Sequence, residues 1–140
     1  MKGIRHMLAR RIGEKGAAAV EMAIVLPLLL MVIGGIVDLG RAFYTQITFS
    51  NAAREGARMV ALGYSDAQRN QRITESFRTG TGWAIVSSTA CPATNPLPTQ
   101  FGEVVLRPNP EFRWMMLDAI PGVSVTAPQI RARGTMRCAG

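Results

Sequence analysis

Few residues in this chain of 140 residues have the chemistry for catalysis or metal binding, and they lie far apart. The only histidine, His6, is near the N-terminus, whereas the only two cysteines, Cys91 and Cys138, are near the other end. A zinc site needs three or four such ligands together, and a serine hydrolase needs a histidine beside its nucleophile. We therefore predict that this protein is not an enzyme and has no catalytic residues, metal ligands, cofactor or small-molecule substrate.

The net charge of +7 is concentrated on one short arm. Residues 1–16 contain five basic residues and one acidic residue, whereas residues 17–140 contain eleven arginines and eight acidic residues. A nucleic-acid-binding domain typically carries a basic face or stripe, often with aromatic residues between the charges. The observed distribution predicts no nucleic-acid partner.

Residues 17–37 form an apolar run of 21 residues in which Glu21 is the single charge. About 20 apolar residues suffice for a helix to cross a bilayer. Because basic residues precede the run, residues 1–16 are expected in the cytoplasm and residues 38–140 outside. The apolar core of a secretory signal peptide is usually only about 7–15 residues long. We therefore expect a retained single-pass anchor.

Glu21 is unusual because a charge within the membrane costs about 2.5–3.5 kcal/mol on insertion scales. Its side chain either extends to the nearby headgroups or has a partner. A basic leader that ends in Gly16, followed by an apolar helix with glutamate as its fifth residue, resembles the prepilin peptidase site of type IV pilin-like proteins. The resemblance implies cleavage after Gly16, so that Ala17 becomes a new N-terminus whose ammonium a neighbouring subunit's Glu21 neutralises.

The helical pattern continues beyond the apolar run, over residues 38–62. Leu39, Phe43 and Ile47 recur at helical spacing, which predicts one helix from about Ala17 to Leu62. Acid–base pairs at i, i+3 are expected at Asp38–Arg41 and Glu55–Arg58. Small residues permit close helix packing, either on the protein's own domain or on neighbouring helices. We assign this packing role to Ala53, Gly56 and Ala57, and we add Pro27 of the apolar run to the same set.

Two blocks of sequence resemble the TadE-like family of minor pseudopilins of tight-adherence (Tad/Flp, type IVc) pili. One block is Gly16–Glu21 with the apolar run and Pro27, and the other is the segment from Asn51 to Arg58, with Asn51, Arg54, Glu55 and Arg58 as motif residues. The resemblance implies a location in the bacterial inner membrane, with the N-terminus in and the C-terminus out. It also implies a prepilin peptidase, other pilins or pseudopilins and pilus assembly proteins as partners.

Residues 63–140 are expected to form a small α+β domain, which we call the C-terminal domain. A helix should begin at Ser65-Asp66 and end at residues 79–82, and strands are predicted at residues 83–88 and 103–107. A second helix is predicted from Asn109-Pro110 to about residue 120, and residues 123–127 and 130–135 are predicted to form a hairpin or two consecutive strands. The fold class is thus α+β, pilin-like, with a long N-terminal helix, short helices and an antiparallel sheet.

Cys91 and Cys138 both lie in the part of the chain expected outside the cytoplasm, where disulfides persist. A bridge between them closes a loop of about 48 residues, and the chain-entropy estimate of its stabilisation is about 4 kcal/mol. The alternative is two free thiols.

The sequence therefore favours a pilin-like structural subunit that takes part in assembly of a type IVc pilus. The alternative is an unprocessed bitopic membrane protein that acts as a scaffold or receptor in the secretion apparatus. The two differ in the mature N-terminus, which only the first hypothesis places at Ala17.

We predict that Gly16→Val blocks processing, because a β-branched side chain crowds the scissile bond that glycine leaves open. N-terminal sequencing of the membrane-extracted protein from its native host should give Ala17 for the wild type and the intact leader for the variant. A wild-type protein that begins at Met1 or Lys2 would contradict the prediction.

Overall fold

The computed structural model describes residues 3–77, 81–92, 94, 97 and 99–138, with side chains from residue 16 onward. Two expectations lie partly outside the described residues. They are the start of the basic leader at residues 1–2 and part of the expected end, at residues 79–80, of the helix that begins at Ser65-Asp66.

One helix, α1 (Gly3–Ala61), dominates the molecule and continues through Pro27. Its start is earlier than the expected Ala17, because the leader is rich in residues of high helix propensity, such as Leu8, Arg10 and Arg11. Its end is one residue short of the expected Leu62. Gly63 then adopts a left-handed conformation with φ 76°, which terminates helices readily.

A shorter helix, α2 (Asp66–Ser76), begins where the sequence predicted. Ser65 caps it, and the side chain of Gln68 accepts a hydrogen bond from the Ser65 backbone in return, forming a capping box. The predicted docking residues Ile73 and Phe77 are both buried, so the amphipathic spacing correctly identified the face that packs.

Three strands form an antiparallel sheet in the order β1-β2-β3. Strands β1 (Trp83–Thr89) and β2 (Phe101–Pro108) confirm predicted strands, and β3 (Ala132–Arg137) begins and ends two residues after the strand predicted at residues 130–135. Strand β2 is central and pairs with β1 on one side and β3 on the other. One face of this sheet lies on the C-terminal half of α1, and α2 packs on the same half of the helix.

The core forms where α1, α2 and the sheet meet. Phe49 of α1 contacts Phe77 with ring centroids 4.7 Å apart. The partly buried Trp83 and Ile85 of β1 pack against the cluster. Its buried members are Phe49, Ala52, Ala53, Val60, Ile73, Phe77, Val104, Leu106 and Ala132.

Two predictions for the segment between β2 and β3 are wrong. Residues 109–131 contain neither the helix expected near residues 110–120 nor the strand expected at residues 123–127. The backbone N–H groups of Met115, Met116 and Leu117 donate to Asp38, so a distant carboxylate takes the bonds that a helix needs. The final strand pairs with β2 and so forms no hairpin with its own neighbour.

Long-range pairing also changes one predicted ion pair. Glu55 contacts Arg72 of α2, with 3.5 Å between Oε2 and Nε, and not the expected Arg58. The Asp38–Arg41 pair is present at 3.2 Å. The Cys91–Cys138 disulfide is confirmed, with Cα atoms 5.7 Å apart, and it joins the loop after β1 to the end of β3.

We predict that Gly134→Ala destabilises the C-terminal domain by about 1–3 kcal/mol, the usual cost of overpacking. A Cβ at this position of β3 would overlap the backbone carbonyl of Ala53 on α1, and neither backbone can yield independently. Chemical unfolding in detergent, followed by tryptophan fluorescence, measures the loss. Gly40→Ala is the matched control, because its Cβ meets nothing within 4 Å, and equal stability of the two variants would contradict the prediction.

Candidate functional site

Residues 16–33 of α1 are not covered by the rest of the protein, and we call them the bare half of the helix. From residue 16 to residue 33 every described side chain is exposed, and the helix is long and apolar enough to cross a membrane once. A core helix of a soluble domain has its apolar side chains covered, whereas the apolar side chains of this helix are exposed. Large exposed residues include Val20, Met22, Ile24, Val25, Leu26, Leu28, Leu29, Leu30, Met31, Val32 and Ile33.

The residues of the predicted processing site lie in this bare half. Gly16 and Ala17 are exposed, and a Cβ at Gly16 would meet nothing within 4 Å. Glu21 is exposed as well, and it follows Ala17 by four residues, which is about 6 Å along a helix and on the same face. The bond after Gly16 is therefore sterically open, although it lies within α1 and not at its start.

The predicted helix-packing residues divide into two groups. Ala53, Gly56 and Ala57 are buried and pack on the protein's own C-terminal domain. A Cβ at Gly56 would come within 2.9 Å of Ile73 and 3.4 Å of Val104, so the glycine allows this close approach. Pro27 lies apart from them, among the exposed apolar residues.

The residues of the predicted family motif line the edge of that packed face. Asn51, Arg54 and Arg58 are exposed, and their spacing places them on one side of α1. Glu55 is partly buried and contacts Arg72. The structure therefore assigns Glu55 to the contact between α1 and α2, while the other three remain on the surface.

Asp38 occupies a central position that its sequence context did not reveal. It follows the apolar run, and its side chain is fully buried. Oδ1 accepts from Met115 N at 3.1 Å, and Oδ2 accepts from Met116 N at 2.8 Å and from Leu117 N at 3.0 Å. Arg41 donates to Oδ1 at 3.2 Å. One carboxylate thus binds three consecutive backbone N–H groups.

These hydrogen bonds determine the charge state of Asp38, which lies outside the apolar run of residues 17–37. Burial alone would raise the pKa of its carboxyl, because it removes water from the charged form. The N–H groups of Leu117, Met115 and Met116, together with Arg41, outweigh burial and hold the pKa below its ordinary value. Asp38 is therefore an anion at neutral pH.

The contacts of Asp38 hold residues 109–131 against α1, and we call these residues the clamped segment. Its Phe112 ring lies 5.5 Å from the guanidinium carbon of Arg41, and a Cβ at Gly34 would come within 3.0 Å of Met116. At its far end the carbonyl of Arg131 accepts from Gln46. The segment therefore runs along α1 into the level of the apolar run.

An apolar groove of about 360 Å³ separates the clamped segment from α1. One wall is formed by Pro27, Leu30, Met31, Gly34 and Gly35, and the other by Met116, Leu117, Ala119, Ile120 and Pro121. Pro27, which was predicted to pack, lines this groove. Within the described residues, no group of three His, Cys, Asp or Glu side chains is arranged to hold a metal ion.

The sequence carried one signal for Asp38, its position as the first charge after the apolar run. The sequence predicted only its i, i+3 pair with Arg41, because its backbone partners lie 77 to 79 positions away. Nothing in the local sequence specifies which N–H groups reach it.

Comparison with known proteins supports the family resemblance. Residues 16–58 match the family model described as TadE-like protein, which covers the bare half of α1, Asp38 and most of the packed half. No match to the chain was found among curated proteins or among solved structures. The long apolar helix followed by a small α+β domain is a pilin-like arrangement.

We predict that Asp38→Asn loosens the clamped segment. An amide has one acceptor oxygen, so at least one backbone N–H is left without a partner, at a cost of about 1–3 kcal/mol. Hydrogen exchange at the amides of residues 115–117 should accelerate, and trypsin should cut faster after the exposed Arg113. Asp118→Asn, in the same segment but exposed, is the matched control and should behave as wild type. Unchanged exchange in Asp38→Asn would show that the contact does not hold the segment.

Proposed function

We propose that this protein, whose residues 16–58 match the TadE-like family, is a pilin-like structural subunit of a tight-adherence pilus. More specifically, we propose a minor pseudopilin that is cleaved after Gly16 by a prepilin peptidase in the bacterial inner membrane. It then takes part in assembly of a type IVc pilus with other pilins. Its role is structural.

One observation carries the proposal, namely that a single helix combines a bare apolar half and a half packed on its own domain. Side chains from residue 16 to residue 33 are exposed, whereas Phe49, Ala52, Ala53 and Ala57 are at most 1% exposed. A soluble enzyme has no use for such a bare apolar helix. A subunit that is stored in a membrane and then packs its helix into a bundle requires one.

The apolar half has two suitable environments, and assembly is the transfer from one to the other. In the membrane, lipid surrounds the exposed side chains of residues 17–37, which span about 31 Å as a helix. In a fibre, the corresponding helices of neighbouring subunits would replace the lipid. Because both environments are apolar, the transfer exposes little apolar surface to water.

Glu21 provides specificity in that transfer. An unpaired carboxylate within an apolar environment is costly, and a cation beside it removes most of that cost. Cleavage after Gly16 creates an ammonium at Ala17, and the same-face spacing of Ala17 and Glu21 allows each to face its counterpart on a neighbouring helix. Charge pairing would then define the axial register between subunits.

The C-terminal domain would present the surface that selects partners. It is joined to the helix without a hinge, because α1 continues from the apolar run into the core as one helix. The exposed motif residues Asn51, Arg54 and Arg58 lie at the edge of this domain. Their position suits contacts with a neighbouring subunit.

We predict that Glu21→Ala leaves membrane insertion intact or improved, because it removes a charge from the apolar run, yet impairs assembly. Membrane fractionation measures the first effect, and co-purification with partner pilins or pilus counts measure the second. Two controls separate charge from bulk. Met22→Ala alters the adjacent exposed position, and Glu111→Ala removes an exposed carboxylate of the C-terminal domain, and both should assemble normally. Normal assembly of Glu21→Ala would reduce Glu21 to a residue that merely reaches the headgroups.

A further inference from the structure

The clamped segment reaches the level of the apolar run, and its contacts define its depth. Phe112 lies beside Arg41, residues 115–117 bind Asp38, and Met116 lies against Gly34. From residue 41 to residue 34, α1 advances about 10 Å. We call residues 112–123, the part of the segment nearest the apolar run, the tip. If residues 17–37 cross the membrane, the tip lies at the membrane boundary or just within it.

The tip carries several exposed apolar side chains. Met115 is 56% exposed and Met116 is 45% exposed, and Val123 and Val125 farther along are also exposed. The groove behind the tip is lined almost entirely by apolar side chains of both walls. An apolar patch that is continuous with a membrane helix indicates contact with lipid more readily than contact with water.

Irregular backbone is tolerated near lipid only where its polar groups are satisfied. Asp38 accepts from the N–H groups of residues 115–117. Two turns accept two more, since Ile120 N donates to Leu117 O and Val123 N donates to Ile120 O. The backbone N–H groups of residues 115–117, 120 and 123 are thus paired within the protein, and they include the three beside Asp38.

Charged residues limit how deep the tip can lie. Arg113 and Asp118 are both exposed within the segment, and charges at the bilayer centre are costly. Long or interfacial side chains reach the headgroups from a shallow position. These two residues therefore place the tip among the headgroups and the first part of the acyl chains.

We propose that residues 112–123 form a lipid-docking loop, with the exposed methionines among the lipids of the leaflet nearest the C-terminal domain and an acyl chain in the groove beside α1. The proposal rests on the membrane anchor of the proposed function. Lipid is the occupant that the observations favour, because both walls are apolar and the groove continues the apolar surface of the anchor. The loop would fix the tilt and height of the C-terminal domain above the membrane.

Trp114 is a built-in probe, because the chain contains only one other tryptophan, Trp83. Trp83 packs on the core cluster whose first α1 residue is Phe49, about 16 Å farther along the helix than Asp38. We would prepare Trp83→Phe, which leaves Trp114, and Trp114→Phe, which leaves Trp83. Each full chain is reconstituted, one copy per nanodisc, in phosphatidylethanolamine and phosphatidylglycerol with or without bromine on the upper acyl chain.

Bromine should reduce the emission of Trp114 and leave that of Trp83 unchanged. Equal Trp114 emission in both lipids, with the chain still in the nanodisc, would overturn the lipid-docking loop and leave the anchor standing. Equal quenching of both tryptophans would also overturn it, because the whole domain would then lie on the membrane. A chain that does not enter nanodiscs would overturn both the loop and the anchor. If Trp83→Phe unfolds, Trp83→Tyr replaces it.

Discussion

The binding of three backbone N–H groups by the Asp38 carboxylate is the contact on which the irregular part of the structure depends. A buried carboxylate is costly unless its oxygens are satisfied, and here both oxygens accept. The same bonds satisfy N–H groups in a segment without regular secondary structure. The carboxylate and the N–H groups therefore each offset the desolvation cost of the other, and these hydrogen bonds hold residues 109–131 on α1. The segment in turn carries the chain from β2 to β3, so the last strand is positioned partly through Asp38.

The other elements pack on helix α1, and its two halves make different contacts because their side chains differ in size and polarity. Small residues such as Ala53 and Gly56 let β3, β2 and α2 approach closely. Bulky apolar residues line the other half and stay exposed, with only the groove beside the clamped segment at its end. Asp38 marks the boundary between the halves. A rigid helix of this kind transmits the position of its membrane half to the C-terminal domain without an intervening hinge.

The family match falls on the same helix that the structure shows to join the apolar run to the C-terminal domain. Residues 16–58 match the TadE-like family, and they contain the bare apolar half, the boundary at Asp38 and most of the packed half. The remainder of the chain contributes the sheet, α2 and the clamped segment, which pack around that helix. The matched residues thus contain both the exposed apolar side chains and most of the side chains on which the rest of the chain packs.

Sequence alone determined the features that depend on local pattern or composition. The apolar run predicted the membrane-spanning length, and Ser65-Asp66 predicted the start of α2. Strands were predicted at residues 83–88 and 103–107, where β1 and β2 lie. The Cys91–Cys138 bridge followed from compartment and count. Tertiary structure decided the features that depend on distant partners. Residues 110–120 carry helical spacing, yet Asp38 takes their N–H groups, and Glu55 turns from its helical neighbour Arg58 to Arg72 of another helix. Hydrogen bonds and ion pairs select the partner that folding brings within about 3 Å, and sequence spacing cannot specify that partner when the two lie dozens of residues apart.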